Sequence, residues 1–141
     1  MIGNRSGLPD RTLAAIDETV HLCRNNTGMQ LCLAVNYGGR AEIVEATRTL
    51  ARRVADGLLQ PDEIDERSIE AHLETNGMPD PDLLIRTAGE MRLSNFLLWQ
   101  MSYAEFWVTP DLWPDFTENH LDEALAAFQS RERRFGGLSS T

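Results

Sequence analysis

Anion-binding side chains are concentrated in one short segment of this chain. Arg86 and Arg92 are followed closely by the hydroxyl group of Ser94. The planar guanidinium group matches the oxygens of a phosphate or diphosphate in a way that an ammonium group does not. Two such groups and a hydroxyl group at this spacing predict a site for a phosphorylated ligand.

The element that must position these side chains is a strand directly before them. Leu83, Leu84 and Ile85 are apolar on both faces, which is typical of an interior strand of a parallel sheet. Gly89 allows the chain to turn sharply after that strand. Ligands of open α/β sheets bind at the carboxyl ends of the strands, so we expect the ligand at this turn.

The composition limits the classes of protein that fit. The chain has 141 residues, of which 42% are hydrophobic, and this predicts one domain with a real core. It carries 13 Lys+Arg against 22 Asp+Glu, a net charge of −9, which argues against a general nucleic-acid surface. All of the basic residues are arginines, so an anion site must be local and built from guanidinium groups.

Cysteine usage and hydropathy indicate the compartment. Cys23 and Cys32 are too few for a disulfide framework and match no zinc spacing, so we predict two core-filling thiols in a reducing compartment. The amino terminus has no apolar signal segment, and no run approaches the roughly 18 apolar residues of a membrane span. A cytoplasmic location is the expectation.

The rest of the pattern alternates helices with short strands. It predicts a helix beginning at Pro9, a strand over residues 29–35, a helix ending at Gly57 with Ile43, Ala46, Leu50 and Val54 on one face, a partly helical segment over 61–73, a helix over 95–101, a strand over 106–108 and a last helix from near Thr117 that buries Leu121, Ala124, Leu125 and Phe128. This alternation is typical of the α/β class.

A series of motifs, in order along nearly the whole chain, carries a resemblance to a known family. They are Asn36-Tyr37-Gly38-Gly39-Arg40, Arg86-Thr87-Ala88-Gly89-Glu90, Arg92-Leu93-Ser94-Asn95-Phe96-Leu97-Leu98-Trp99-Gln100, Tyr103-Ala104-Glu105, Leu112-Trp113-Pro114-Asp115-Phe116 and Arg133-Arg134-Phe135-Gly136-Gly137. Together they resemble the cis-prenyltransferases, the family of the undecaprenyl diphosphate synthases. The ordered set is far more specific than any one motif.

The resemblance implies a fold and an activity. The fold would be an open, mainly parallel sheet with helices on both faces, in a homodimeric enzyme. The activity would be the repeated addition of isopentenyl diphosphate, with cis geometry, to an allylic diphosphate such as farnesyl diphosphate. The product would be the polyprenyl carrier lipid of cell-wall synthesis, with at most peripheral membrane contact through that lipid.

The resemblance also implies roles for particular residues. Arg86, Arg92 and Ser94 would hold the diphosphate of isopentenyl diphosphate, Glu105 would help to bind Mg²⁺, and Arg134 and Gly136 would form a clamp on substrate across a dimer. Each has a structural alternative that the residues alone leave open. Arg86 could pair with Glu90 or an Asp, Ser94 could cap a helix beginning at Asn95, and Glu105 could be a charge on an edge strand.

Two departures from the family pattern bear on function. The chain has no His-x-Met-Asp-Gly-Asn loop, whose Asp is the family's catalytic carboxylate, so no catalytic residue is identified. Residues 1–141 therefore resemble a single domain that corresponds to the carboxyl-terminal part of a cis-prenyltransferase domain. The amino-terminal strands of the family are missing from it, so we expect an exposed sheet edge. Ala88 replaces a glycine and Met91 stands where a His is common, and both are expected to weaken the diphosphate site.

Three hypotheses follow from these departures. The chain is a cis-prenyltransferase polypeptide whose activity needs a longer form, or a non-catalytic subunit that serves a partner chain bearing the Asp loop. The third possibility is a degenerate diphosphate-binding module without turnover.

Overall fold

The computed structural model describes residues 1–131 of the chain. It divides into two compact units, Met1–Met78 and the part from Pro79 onward. The first unit contains α1 (Asp10–Cys23), α2 (Gly39–Ala55) and the short α3 (Glu66–Glu70), and the second contains β1 (Leu83–Arg86), β2 (Glu105–Val108) and α4 (Glu118–Gln129). Single 3₁₀ turns lie at Pro61–Glu63 and Trp113–Asp115. Within residues 1–131, no helix has both the length and the apolar character that crossing a bilayer requires.

In the first unit, helix α1 begins and helix α2 ends where the sequence predicts. Pro9 has an extended backbone and directly precedes α1. None of the residues of α1 is buried. Helix α2 begins at the second of the paired glycines, buries Ala46 and Leu50, and is followed by Gly57 with φ of +71°. A left-handed glycine at this place ends a helix without steric cost.

A buried carboxylate ties the first unit together. Glu42, in the first turn of α2, is only 6% exposed. Its Oε2 atom accepts a hydrogen bond from the hydroxyl group of Tyr37 at 2.5 Å, and its Oε1 atom accepts one from the backbone N–H of Glu74 at 2.7 Å. The Asn-Tyr-Gly-Gly turn, α2 and the segment after α3 are therefore joined through one side chain.

The predicted strand over residues 29–35 is wrong. Only an isolated parallel bridge between Ile2 and Ala34 forms, and Met29 and Leu31 are largely exposed. A strand exists only where its backbone groups pair along their length, and this segment pairs through the hydrogen bonds around Ile2 alone within the described residues. The apolar run consequently stays at the surface. Cys23 and Cys32 are exposed too, so their prediction as core thiols is also wrong.

The second unit is built on two parallel strands. Strands β1 and β2 pair with Leu83 opposite Glu105 and Arg86 opposite Val108, which confirms that both predicted strands form. Within residues 1–131, β1 is paired on one side only, so its prediction as an interior strand is not confirmed. Helix α4 begins after Thr117, as predicted, and packs against β2. Its burial was overestimated: Ala124 is buried, whereas Leu121 and Leu125 remain 42% exposed.

The predicted helix over residues 95–101 is wrong. The segment forms a series of turns, because Ser94, Asn95 and Leu97 have φ values of +50°, +65° and +44°. Left-handed residues cannot continue a right-handed helix. The apolar character of the segment still matters, since Leu97 and Met101 are buried. Ser94 therefore does not cap a helix here.

Candidate functional site

The two predicted anion-binding arginines meet at one carboxylate beyond the end of β1. One oxygen of Glu90 pairs with Arg86 and the other pairs with Arg92. The Arg86 side chain is 26% exposed, and its Nε atom is buried without a hydrogen-bond partner among the described residues. A buried donor without a partner costs about 1–3 kcal/mol, which makes this atom a candidate contact for an additional anion.

The turn that brings Glu90 back to Arg86 consists of two left-handed residues. Ala88 has φ of +62° and Gly89 has φ of +64°. The N–H of Ala88 donates to the backbone oxygen of Asp111 at 2.7 Å, and the N–H of Gly89 donates to that of Thr109 at 2.8 Å. The substitution at Ala88 is therefore accommodated in the small left-handed region that residues with a β-carbon can enter at some cost.

A side-chain network supports the loop at residues 109–111. Asp111 Oδ2 accepts a hydrogen bond from Thr109 Oγ1 at 2.5 Å and lies 3.2 Å from His120 Nε2. The Thr109 hydroxyl group, and to a smaller extent His120, hold the pKa of Asp111 below its ordinary value. Sequence reasoning missed this network. The one local signal was the spacing of Thr117 and His120, which resembles a capping box.

Glu105 lies away from the arginine turn. It is the first residue of β2, opposite Leu83, whereas Arg86 lies at the other end of the paired strands. Three residues of strand correspond to roughly 10 Å. Its Oε2 atom is 2.6 Å from Nη1 of Arg131, so the carboxylate is neutralised locally.

The donor set around Glu105 is too small to hold a metal ion. Across residues 1–131, no group of three or more His, Cys, Asp or Glu side chains is placed to bind one. Mg²⁺ prefers several oxygen ligands in octahedral geometry. The described residues therefore do not form a magnesium site by themselves.

Ser94, Arg134 and Gly136 are the remaining predicted site residues. Ser94 is exposed and follows Arg92 in the series of turns. Arg134 and Gly136 lie outside the described residues, so their predicted role as a clamp stays a prediction. The structure thus brings Arg86 and Arg92 together through Glu90, and it places Glu105 at a different end of the sheet.

Sequence comparison places the chain among known proteins. A profile of the family described as "Putative undecaprenyl diphosphate synthase" matches residues 1–136. The isoprenyl transferase of Geobacillus kaustophilus is 53% identical over 140 residues, which cover 99% of this chain and 54% of that protein. Dehydrodolichyl diphosphate synthase 2 of Arabidopsis thaliana is 51% identical, over 99% of this chain and 46% of its own length.

Two crystal structures have a similar fold. Lavandulyl diphosphate synthase from Lavandula x intermedia, in complex with dimethylallyl diphosphate, gives a TM-score of 0.92 at 52% identity and covers 96% of this chain and 58% of its own. A probable undecaprenyl diphosphate synthase from Campylobacter jejuni gives 0.80 at 33% identity, with 96% and 61% covered. The predicted α/β class is confirmed. The chain spans about half the length of the curated relatives that it matches. It belongs to the undecaprenyl diphosphate synthase family of prenyl-transferring enzymes.

Proposed function

We propose that this chain carries the part of a cis-prenyltransferase that binds isopentenyl diphosphate. The whole activity would join isopentenyl diphosphate, with cis geometry, to an allylic diphosphate such as farnesyl diphosphate, and would build a polyprenyl diphosphate carrier lipid. The observation that carries the proposal is the pair of arginines held on Glu90 directly beyond β1, with Arg86 Nε buried and unpaired within the described residues.

The chemistry of the arginine pair supports a diphosphate ligand. Glu90 already occupies the space between the two guanidinium groups as an anion would. A diphosphate has more oxygens and more charge than a carboxylate, so it can accept hydrogen bonds from both arginines and from Arg86 Nε together. Ser94 lies two residues beyond Arg92 and would add a hydroxyl donor.

In this proposal the described residues bind and orient, and they do not ionise the allylic substrate. Holding the diphosphate at a strand end fixes one end of isopentenyl diphosphate, and this lowers the entropic cost of bringing its double bond to a second substrate. Mg²⁺ would accompany the diphosphates, and Glu105 would be one of its ligands. The other ligands would have to come from the diphosphates and from outside the described residues.

The assembly and the location belong to the same proposal. Arg134 and Gly136 would contact substrate diphosphate in a neighbouring subunit, as the family resemblance implies, so a homodimer is the expected active form. The expected location is the cytoplasm, where the carrier lipid of cell-wall synthesis would be made.

A second candidate function is that of a subunit for a chain with the Asp loop. The 141 residues contain no Met-Asp-Gly-Asn sequence, so the loop would have to come from a longer polypeptide or from a partner chain. Purified chain would be assayed for incorporation of radiolabelled isopentenyl diphosphate with farnesyl diphosphate and Mg²⁺. Turnover by the chain alone excludes the subunit role, and turnover that appears only with a partner bearing the loop supports it.

The site itself is tested by an arginine substitution and a matched control. Arg92→Ala should weaken isopentenyl diphosphate binding about 10- to 100-fold in isothermal titration, because a charge-assisted hydrogen bond contributes about 1.5–3 kcal/mol. Arg48→Ala makes the same change in net charge, but Arg48 is an exposed partner of Glu45 in the other unit. It should leave the affinity within about twofold. Equal affinities for the two variants would overturn the assignment.

A further inference from the structure

His120 is held in a single orientation by three neighbours. Its Nδ1 atom lies 2.9 Å from the backbone N of Thr117, which can only donate, so Nδ1 accepts that hydrogen bond. The proton of the neutral ring is therefore on Nε2, which faces Asp111 Oδ2 at 3.2 Å. Phe116 stacks on the ring with centroids 5.4 Å apart. The imidazole thus joins the start of α4 to the loop at residues 109–111.

That loop in turn holds the turn after β1. The backbone oxygens of Asp111 and Thr109 accept the N–H groups of Ala88 and Gly89. Both N–H groups of the turn thus have their acceptors in the loop at residues 109–111. The position of residues 109–111 therefore sets the path of the chain from Arg86 to Glu90.

We propose that His120 and Asp111 are positioning residues for the arginine turn. By fixing residues 109–111 they hold Ala88 and Gly89, and through them they keep Glu90 between Arg86 and Arg92. Both lie outside the arginine pair and act on it through the backbone. The proposal rests on the proposed function, because it takes diphosphate binding as the purpose of the turn.

The alternative is that His120 only caps α4, and two variants of similar size distinguish these roles. Glu and Gln are both common at this position of a capping box, so either can accept the hydrogen bond from Thr117. His120→Gln keeps a donor for Asp111, whereas His120→Glu places a second carboxylate against it. A capping role predicts that the two variants behave alike, and a positioning role predicts that only His120→Glu is impaired. Asn119→Asp adds the same charge one residue away and serves as the control.

The first measurement is amide hydrogen exchange in the ligand-free chain. In His120→Glu the protection of the Ala88 and Gly89 amides should fall about tenfold, as expected for losing the support of one hydrogen bond. The protection should stay near wild type in His120→Gln and in Asn119→Asp. Unchanged protection in His120→Glu overturns the proposal. If that variant does not fold, Asp111→Ala tests the same link, because it removes the carboxylate and keeps the backbone acceptor.

The second measurement is the affinity for inorganic pyrophosphate. His120→Glu should weaken binding in the wild-type background and have a smaller effect when Arg92 is already Ala, because the two changes act on one unit. Equal losses in both backgrounds would show that His120 does not act through the arginines. If the wild-type chain binds no diphosphate, the proposed function fails, while the exchange experiment still decides whether His120 and Asp111 hold the turn.

Discussion

Ala88 and Gly89 adopt nearly the same left-handed backbone, with φ of +62° and +64°, yet only one of them is a glycine. An L-residue in this region costs roughly 1–2 kcal/mol, and glycine avoids that cost. Exchanging the residue types at these two positions therefore tests whether the turn stores backbone strain. We expect Ala88→Gly to stabilise the chain and Gly89→Ala to destabilise it.

The magnitude follows from two opposing terms. Ala88→Gly relieves roughly 1–2 kcal/mol of strain in the folded state. It also lowers the stability by about 0.4–1 kcal/mol, because the unfolded chain gains conformational freedom. With the middle of each range, the net stabilisation is about 0.8 kcal/mol. Gly89→Ala has the opposite sign, and its added Cβ would lie 4.0 Å from Pro110 Cα, so no clash adds to the backbone cost. The two variants should differ by about 1–2 kcal/mol.

The assay is urea unfolding followed by circular dichroism, with the free energy of unfolding taken from the midpoint and slope. Gly28→Ala is the control, because its Cβ would meet nothing within 4 Å and its φ is not in the left-handed range. It should stabilise by about 0.4–1 kcal/mol through the unfolded chain alone. If Ala88→Gly destabilises, or if the two turn variants are equally stable, the strain argument is refuted.

Two further predictions concern the carboxylates near the turn. Glu90→Gln should lower the affinity for inorganic pyrophosphate up to about fivefold in titration calorimetry, because it removes the charge that aligns the two partly exposed arginines; a gain of affinity would mean that Glu90 mainly competes with the ligand. The hydrogen bond from the Thr109 hydroxyl group is the main cause of the lowered pKa of Asp111. The ionised carboxylate therefore stabilises the folded state at pH values above its ordinary pKa of 3.8. This contribution is lost as the pH falls through the lower pKa of the folded state. The stability difference between wild type and Asp111→Asn should thus be constant near neutral pH and shrink in acid unfolding titrations below 3.8, and a difference independent of pH would contradict it.

Elements with local signals could be predicted from the sequence, and those that depend on distant pairing could not. The end of helix α2 at Gly57 and the start of α4 after Thr117 were predicted correctly, because caps and helix ends are set by neighbouring residues. The segment 29–35 has the composition of a buried strand, but in the described residues it meets only Ile2. Hydropathy indicates that burial of a segment would be favourable, but it does not show which strand the segment pairs with.

The candidate site divides in the same way. The pairing of Arg86 with Glu90 was among the alternatives that the sequence left open, and the structure contains that pair. The link from His120 to Asp111 was not predicted, because it joins a helix start to a loop and follows no periodic pattern. The helix predicted over 95–101 failed because apolar spacing cannot detect the left-handed residues that interrupt it.

Geometry has to provide most of the affinity of this site for an anion. The whole chain carries a net charge of −9, whereas Arg86, Arg92 and Glu90 together carry a net +1, so the long-range field does not attract a diphosphate. Screening beyond roughly 8 Å at physiological salt reduces that repulsion, while direct guanidinium contacts are much less affected. Affinity then depends on how well the two arginines are aligned before the ligand arrives, because each poorly placed side chain must be ordered at the expense of binding energy. A turn held from residues 109–111 by a fixed imidazole supplies that alignment without adding positive charge, which is why His120 should matter to a ligand that it does not touch.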